Sequence, residues 1–139
     1  MSFVSISKQI LTNGFNDCHD ITREVENAVG NSGITSGLVT VFVPGSTAGV
    51  TTIEFEEGAV NDFIEAIERL MPQGIPYKHD RKWGDGNGFS HVRAAFMGPS
   101  LTIPLNNGIL QLGQWQQIIL VDFDNKKRNR KYLVNILGE

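Results

Sequence analysis

Asn106-Asn107-Gly108 stands between two apolar runs, Leu101–Leu105 and Ile109–Leu112, and constrains the fold more than any other segment of the chain. Asn and Gly tolerate the positive φ that a tight hairpin turn requires, so the two runs are predicted to pair antiparallel. A second hairpin is expected from Trp115–Phe123 and Lys131–Leu137 around Asp124-Asn125-Lys126-Lys127. Nearer the N-terminus, Phe3–Leu11 reads as extended up to a turn at Thr12-Asn13-Gly14. Leu38–Val43 is a β-branched apolar run, the pattern of a strand buried on both faces, and Pro44-Gly45 stops it. Ala48–Phe55 reads as a further strand that carries Glu54 at its end.

Helical periodicity is confined to three stretches. Asp20 is placed to cap a helix whose apolar residues Ile21, Val25, Ala28 and Val29 share one face, with Gly30-Asn31-Ser32-Gly33 ending it. Ala59–Met71 is the strongest, with Val60, Phe63, Ile64, Ile67 and Leu70 at helical spacing before Pro72 breaks it. Ser90 is expected to cap a short helix through Phe96, closed by Gly98. Between Pro72 and about Gly88 no periodicity is visible, and a loop of that length is more often functional than idle. The order of elements predicts an α+β fold: mainly antiparallel, sandwich-like sheets with two or three helices, in one domain over residues 1–139.

A chain of 139 residues suits one hydrophobic core, and 40% hydrophobic with 19% charged residues excludes wholesale disorder. Nothing reaches the roughly 18 apolar residues of a spanning helix. The N-terminus lacks the features of a secretory signal, so a cytoplasmic protein with no membrane attachment is expected. The balance of 12 Lys+Arg against 15 Asp+Glu gives −3 and argues against bulk nucleic-acid binding. Cys18 is the only cysteine, which excludes an internal disulfide and any multi-cysteine zinc cluster. With no neighbour to depress its pKa, it reads as a small packed side chain rather than a nucleophile.

Several segments carry residue types suited to chemistry. His79 and His91 lie twelve positions apart, with Asp80, Asp85, Asn87 and three glycines between them. Two imidazoles and a carboxylate suit a divalent transition metal with open positions; a solvated charged loop is the alternative. Glu54 and Asp62 are candidate acids, and plain exposed carboxylates otherwise. Pro44-Gly45-Ser46-Thr47-Ala48-Gly49 offers amides and hydroxyls to an oxyanion or phosphate, or is an ordinary strand connection. Lys126–Lys131 packs five cations into six positions, either a phosphate-binding patch or a solubilising tip. Trp115, followed by Gln116, offers a plane for stacking a heteroaromatic ring, or packs beneath a sheet.

Taken together, Ser46-Thr47-Ala48, Glu54, Asp62, Tyr77-Lys78-His79-Asp80, Gly84-Asp85-Gly86-Asn87, Ser90-His91, Gly98, Leu112-Gly113-Gln114-Trp115-Gln116 and the terminal Gly138-Glu139 resemble the YjbQ family. The resemblance spans the chain from the strand at Leu38. It implies an α+β homotrimer with a polar pocket built from these residues, sometimes holding a metal, and a weak thiamine-phosphate synthase activity. In such a transfer Glu54, Asp62, Asp85 and His91 are the expected catalytic groups. Ser46, Thr47, Asn87, Trp115, Gln116 and Arg128 would contact a small phosphorylated metabolite, with Arg130 as an alternative phosphate contact. His79, His91 and Asp85 would hold a divalent ion, zinc or magnesium. Two other readings stay open: a zinc-dependent hydrolase of a small phosphorylated or acyl substrate, and a non-catalytic metabolite-binding trimer.

Overall fold

The computed structural model describes residues 1–139. The first and last strands, β1 (Ser2–Thr12) and β8 (Arg128–Gly138), run antiparallel over their whole length, from Ser2 opposite Gly138 to Thr12 opposite Arg128. On β8 every second residue, from Arg130 through Tyr132 and Val134 to Ile136, turns inward, the period-2 pattern of a half-buried strand. The other side of β8 pairs with β3 (Gly37–Phe42), which pairs in turn with β5 (Ser100–Asn106). β6 (Ile109–Leu110) closes the order β1-β8-β3-β5-β6. The predicted hairpin joins β5 and β6, with Asn107 at φ 51° and Gly108 at φ 74°, the two positive values of a type I′ turn.

A second sheet has the order β2-β7-β4, from Asp17–Asp20, Gln117–Asp122 and Ala48–Ile53, all antiparallel. Val39, Val41, Val134 and Ile136 of the large sheet meet Val50, Ile118 and Leu120 of the small one, and α1 (Thr22–Ser32) adds Val25, Ala28 and Val29 to the same core. The opposite face of β7 presents Ile119 and Val121, followed by Phe123. A second core forms there with Ile67 of α2 (Glu57–Leu70), Met71 and Ala94 of α4 (Gly88–Met97). The small sheet is therefore the middle layer.

Several expectations are corrected by this arrangement. β7 and β8 do not form a hairpin: they lie in different sheets, and the chain crosses between layers over residues 123–127. The strand buried on both faces is β7, whose Ile118–Asp122 are all inaccessible, because helices cover its outer side. β3 instead alternates, with Val39 and Val41 buried and Leu38 half exposed. The stretch assigned to a loop contains α3 (Lys78–Trp83), about one and a half turns too short and too charged to show an apolar period. α4 starts at Gly88, and Ser90 lies inside its first turn, donating to the Asn87 carbonyl rather than capping the helix. The N-cap of α1 falls on Ile21 rather than Asp20, whose carboxylate, one residue earlier, accepts from the Thr22 amide at 2.9 Å. α2 begins at Glu57 because the Glu56 carboxylate accepts from the Gly58 and Ala59 amides at 2.7 and 2.9 Å, which also lowers its pKa.

Candidate functional site

Two of the connections that cross between the sheets, β3–β4 and β7–β8, are joined by the hydrogen bonds below. Thr47 in the first donates to Asp124 in the second at 3.0 Å, and Phe123 N donates to Thr47 O at 2.9 Å. Strand alternation turns Arg128 and Arg130 toward this junction and leaves Lys126, Lys127 and Lys131 in solvent. Two of the five cations are thus structural, which a count of charges does not reveal. Arg130 binds Asp122 through Nε and Nη2, at 2.6 and 2.9 Å, and also donates to the Thr47 hydroxyl at 2.6 Å. Arg128 donates to Asp124 through Nε at 3.0 Å and Nη2 at 2.7 Å.

Asp122 and Asp124 are both fully buried, and the two carboxylates balance the two guanidinium groups. Burial alone would raise the Asp124 carboxyl. Bonds from Arg128, Asn87, the Asn125 amide and Thr47 outweigh it and bring the pKa down to about 2. Each arginine uses Nε and Nη2 in these bonds, which leaves Nη1 of both for a ligand.

The α3–α4 segment folds over this base. Gly88 N donates to Asp80 Oδ1 at 2.8 Å and Asn125 Nδ2 donates to Asp85 O at 2.8 Å, so the glycine-rich link is tied at both ends. Arg93, wholly buried two residues beyond His91, anchors α4: it donates to Met71 O, to Asn16 Oδ1 at 2.8 Å, and pairs with Glu68 at 2.9 Å. These ties bring the His79 and His91 rings within 4.3 Å of each other, centroid to centroid.

A cavity of about 440 Å³ lies between the three segments. Gly45, Ser46 and Thr47 form one wall, Arg128 and Arg130 the base, and His79, Asp85, Asn87 and His91 the other wall, with Trp83 at the edge. Among the residues singled out from the sequence, Ser46, Thr47, His79, Asp85, Asn87, His91 and Arg128 are brought together here. Glu54, just past β4, and Asp62, on α2, are exposed and line no part of it. Trp115 is 64% exposed on the β6–β7 connection, and Gln116 bonds Thr52 Oγ1 at 3.0 Å beside a different cavity. Sequence reasoning missed Trp83, Asp122 and Asp124. The alternation of Asp122 and Asp124 at the end of an apolar strand, mirrored by Arg128 and Arg130, was the available signal.

The donor set suits a divalent cation. Nδ1 of His79 and Oδ1 of Asn87 are buried without a hydrogen-bond partner. His79 Nδ1 stands 3.4 Å from Asp85 Oδ1 and 3.8 Å from Asp80 Oδ1, and one ligand atom from each of the three lies within 4.8 Å of the others. Mixed imidazole and carboxylate ligands of this kind are compatible with zinc or magnesium. Asp80 takes the place in the cluster that the sequence pattern gave to His91, whose ring lies beside that of His79, tilted by 43°. The third histidine, His19, pairs with Asp17 at 2.8 Å on β2.

Comparison with known proteins gives one family. The family model described as UPF0047 protein YjbQ-like matches residues 7–139. A UPF0047 protein of Archaeoglobus fulgidus is 39% identical over 118 residues, covering 85% of this chain and 89% of that protein. The UPF0047 protein YugU of Bacillus subtilis is 34% identical over 131 residues, with 94% and 96% covered. Among solved structures, a YbjQ-like protein of unknown function from Sulfolobus solfataricus superposes with a TM-score of 0.89 at 32% identity, covering 99% of this chain and 100% of that one. A hypothetical protein from Aeropyrum pernix gives 0.90 at 34% identity, covering 98% and 99%.

Proposed function

The chain belongs to the YjbQ family, and from that premise we propose that its cavity binds a small phosphorylated metabolite and a divalent cation side by side, to displace diphosphate in a thiamine-phosphate-synthase-like transfer. The observation that carries this reading is the convergence of Arg128 and Arg130, each with Nη1 uncommitted, opposite a cluster of His79, Asp80 and Asp85 in one cavity. Arginine suits phosphate because its planar donors match phosphate oxygens, and the hydroxyl of Ser46 adds a neutral contact. His79, Asp80 and Asp85 would hold zinc or magnesium, which would neutralise charge on the departing diphosphate. In the transfer, the bond from the pyrimidine methylene to diphosphate oxygen breaks and the oxygen keeps the electron pair. The thiazole nitrogen supplies its lone pair to the same carbon, so no proton moves. Trp83 at the cavity edge is the aromatic surface available within one chain for a ring.

The zinc-dependent hydrolase is the second reading, favoured by the imidazole in the cation cluster. In it His91 accepts a proton from the attacking water. The homotrimer belongs to the same proposal: it leaves Glu54, Asp62 and Trp115, which lie off the cavity of their own chain, free to reach a neighbouring protomer.

Calorimetric titration of the purified protein with magnesium, zinc and inorganic diphosphate tests the reading, with light scattering for a mass of three chains. Binding of both cation and diphosphate is expected, with His79→Ala losing the former and Arg128→Gln the latter. Product analysis with a pyrimidine diphosphate and a thiazole phosphate then separates transfer from release of diphosphate to water. A protein that binds neither cation nor diphosphate would overturn both readings.

A further inference from the structure

A second cavity of about 220 Å³ adjoins the first, and the two share Gly45, Ser46 and His91. The linings of the two differ in chemistry. Beyond the shared residues, the larger has the charged and polar groups described above, whereas the smaller has only Ala48, Ala94, Ala95 and Pro99. Ala48 and Ala94 are buried beneath it and Ala95 stands at its rim. Position 45 has no side chain to divide the two, and the space beyond its Cα is bounded by Arg130 Nη1, 3.2 Å from where a Cβ would sit. A group placed on the free Nη1 donors is therefore next to an apolar recess, with the His91 imidazole bordering both.

We propose that the two cavities form one binding site for an organic phosphate or diphosphate, whose anionic end lies on Arg128 and Arg130 and whose apolar ring or short alkyl group fills the recess of Ala48, Ala94, Ala95 and Pro99. This inference rests on the phosphate-binding reading above and adds the class of ligand: a phosphorylated molecule with a small apolar body attached close to its phosphate, in preference to a sugar phosphate or free inorganic phosphate. Hydroxyl-rich bodies are disfavoured because, apart from Ser46 and His91 where the two cavities meet, the side chains of the recess offer only methyl and methylene groups, so most of their bonds to water would be lost without replacement. An aromatic or alkyl body loses no such bonds and gains burial.

The test compares inorganic phosphate, methyl phosphate and phenyl phosphate by calorimetry on the purified protein and on Ala95→Leu, a substitution at an exposed helical position that narrows the recess without touching the arginines. Phenyl phosphate is expected to bind the wild-type protein about tenfold more tightly than methyl phosphate. In Ala95→Leu that advantage is expected to vanish while the affinity for inorganic phosphate is unchanged. Equal binding of the two esters by the wild-type protein would overturn the recess while leaving the phosphate reading intact. Persistence of the tenfold gap in Ala95→Leu would overturn it too, by placing the ring elsewhere. If none of the three compounds binds, the phosphate reading itself falls, and the inference with it.

Discussion

Arg130 on β8 holds Asp122 on β7 through two parallel bonds, Nε to Oδ2 at 2.6 Å and Nη2 to Oδ1 at 2.9 Å, although the two strands belong to different sheets. The pair fastens the layers beside the β7–β8 crossing, directly under the cavity. Thr12 at the end of β1 donates to the same carboxylate, so three strands meet on one side chain.

Replacing one member of this pair strands the other as an unpaired buried charge, which costs roughly 3–5 kcal/mol. Asp122→Asn is therefore expected to lower the urea midpoint severely. The double variant Asp122→Leu with Arg130→Met should recover a large part of the loss, because no charge is then left uncompensated. A single variant costing less than about 1 kcal/mol would show that the pair does not fasten the sheets.

Acid sensitivity follows from Asp124. Its folded pKa of about 2 lies below the ordinary value of 3.8, so the folded state favours the ionised form. The resulting stability is fully present above pH 4 and is lost as pH falls from about 4 toward 2, on the order of 2 kcal/mol in all. Unfolding free energy measured by denaturant between pH 5 and 2 should show this decline. Asp124→Asn, if it folds, should flatten it, and an unchanged slope would remove Asp124 as the cause.

Cys18 is expected to be inert in the folded protein. Burial first, and the Asp17 charge second, push its thiol up to about 11. Only roughly one thiol in a thousand is then ionised at pH 8. Alkylation by iodoacetamide, followed by mass, should be slow at pH 8, accelerate about tenfold per pH unit, and become rapid on unfolding. Fast labelling of the native protein at pH 7 would contradict the environment described.

Two glycines are predicted to respond in opposite directions to the same change. A Cβ on Gly138 would be driven into the Ser36 carbonyl oxygen, where β3 and β8 approach, so Gly138→Ala should destabilise by several kcal/mol. Gly30 is inside α1 with nothing within 4 Å of the added atom. Gly30→Ala should raise stability by about 0.5–1 kcal/mol. Thermal midpoints read both, and a neutral Gly138→Ala would refute the close approach.

Local signals in the sequence were sufficient for much of the architecture. The Asn107-Gly108 turn, the apolar stripe of α2 and the β-branched runs were legible because hydrogen bonding and side-chain periodicity act over a few residues, and family resemblance rested on motifs read the same way. Residue type and local motif also single out most of the cavity's residues: Ser46, Thr47, His79, Asp85, Asn87, His91 and Arg128. Which strands share a sheet was decided only in three dimensions. Asp124-Asn125-Lys126-Lys127 looks like a hairpin turn, yet the chain there passes from the middle layer to the outer one, because β8 finds its partners in β1 and β3, distant in sequence. That crossing buries Asp122 and Asp124 and turns Arg128 and Arg130 inward as their counter-charges, whereas Glu54, Asp62 and Trp115 are left outside the cavity of their own chain. Long-range pairing depends on the packing of whole layers, so no local run of residues encodes it.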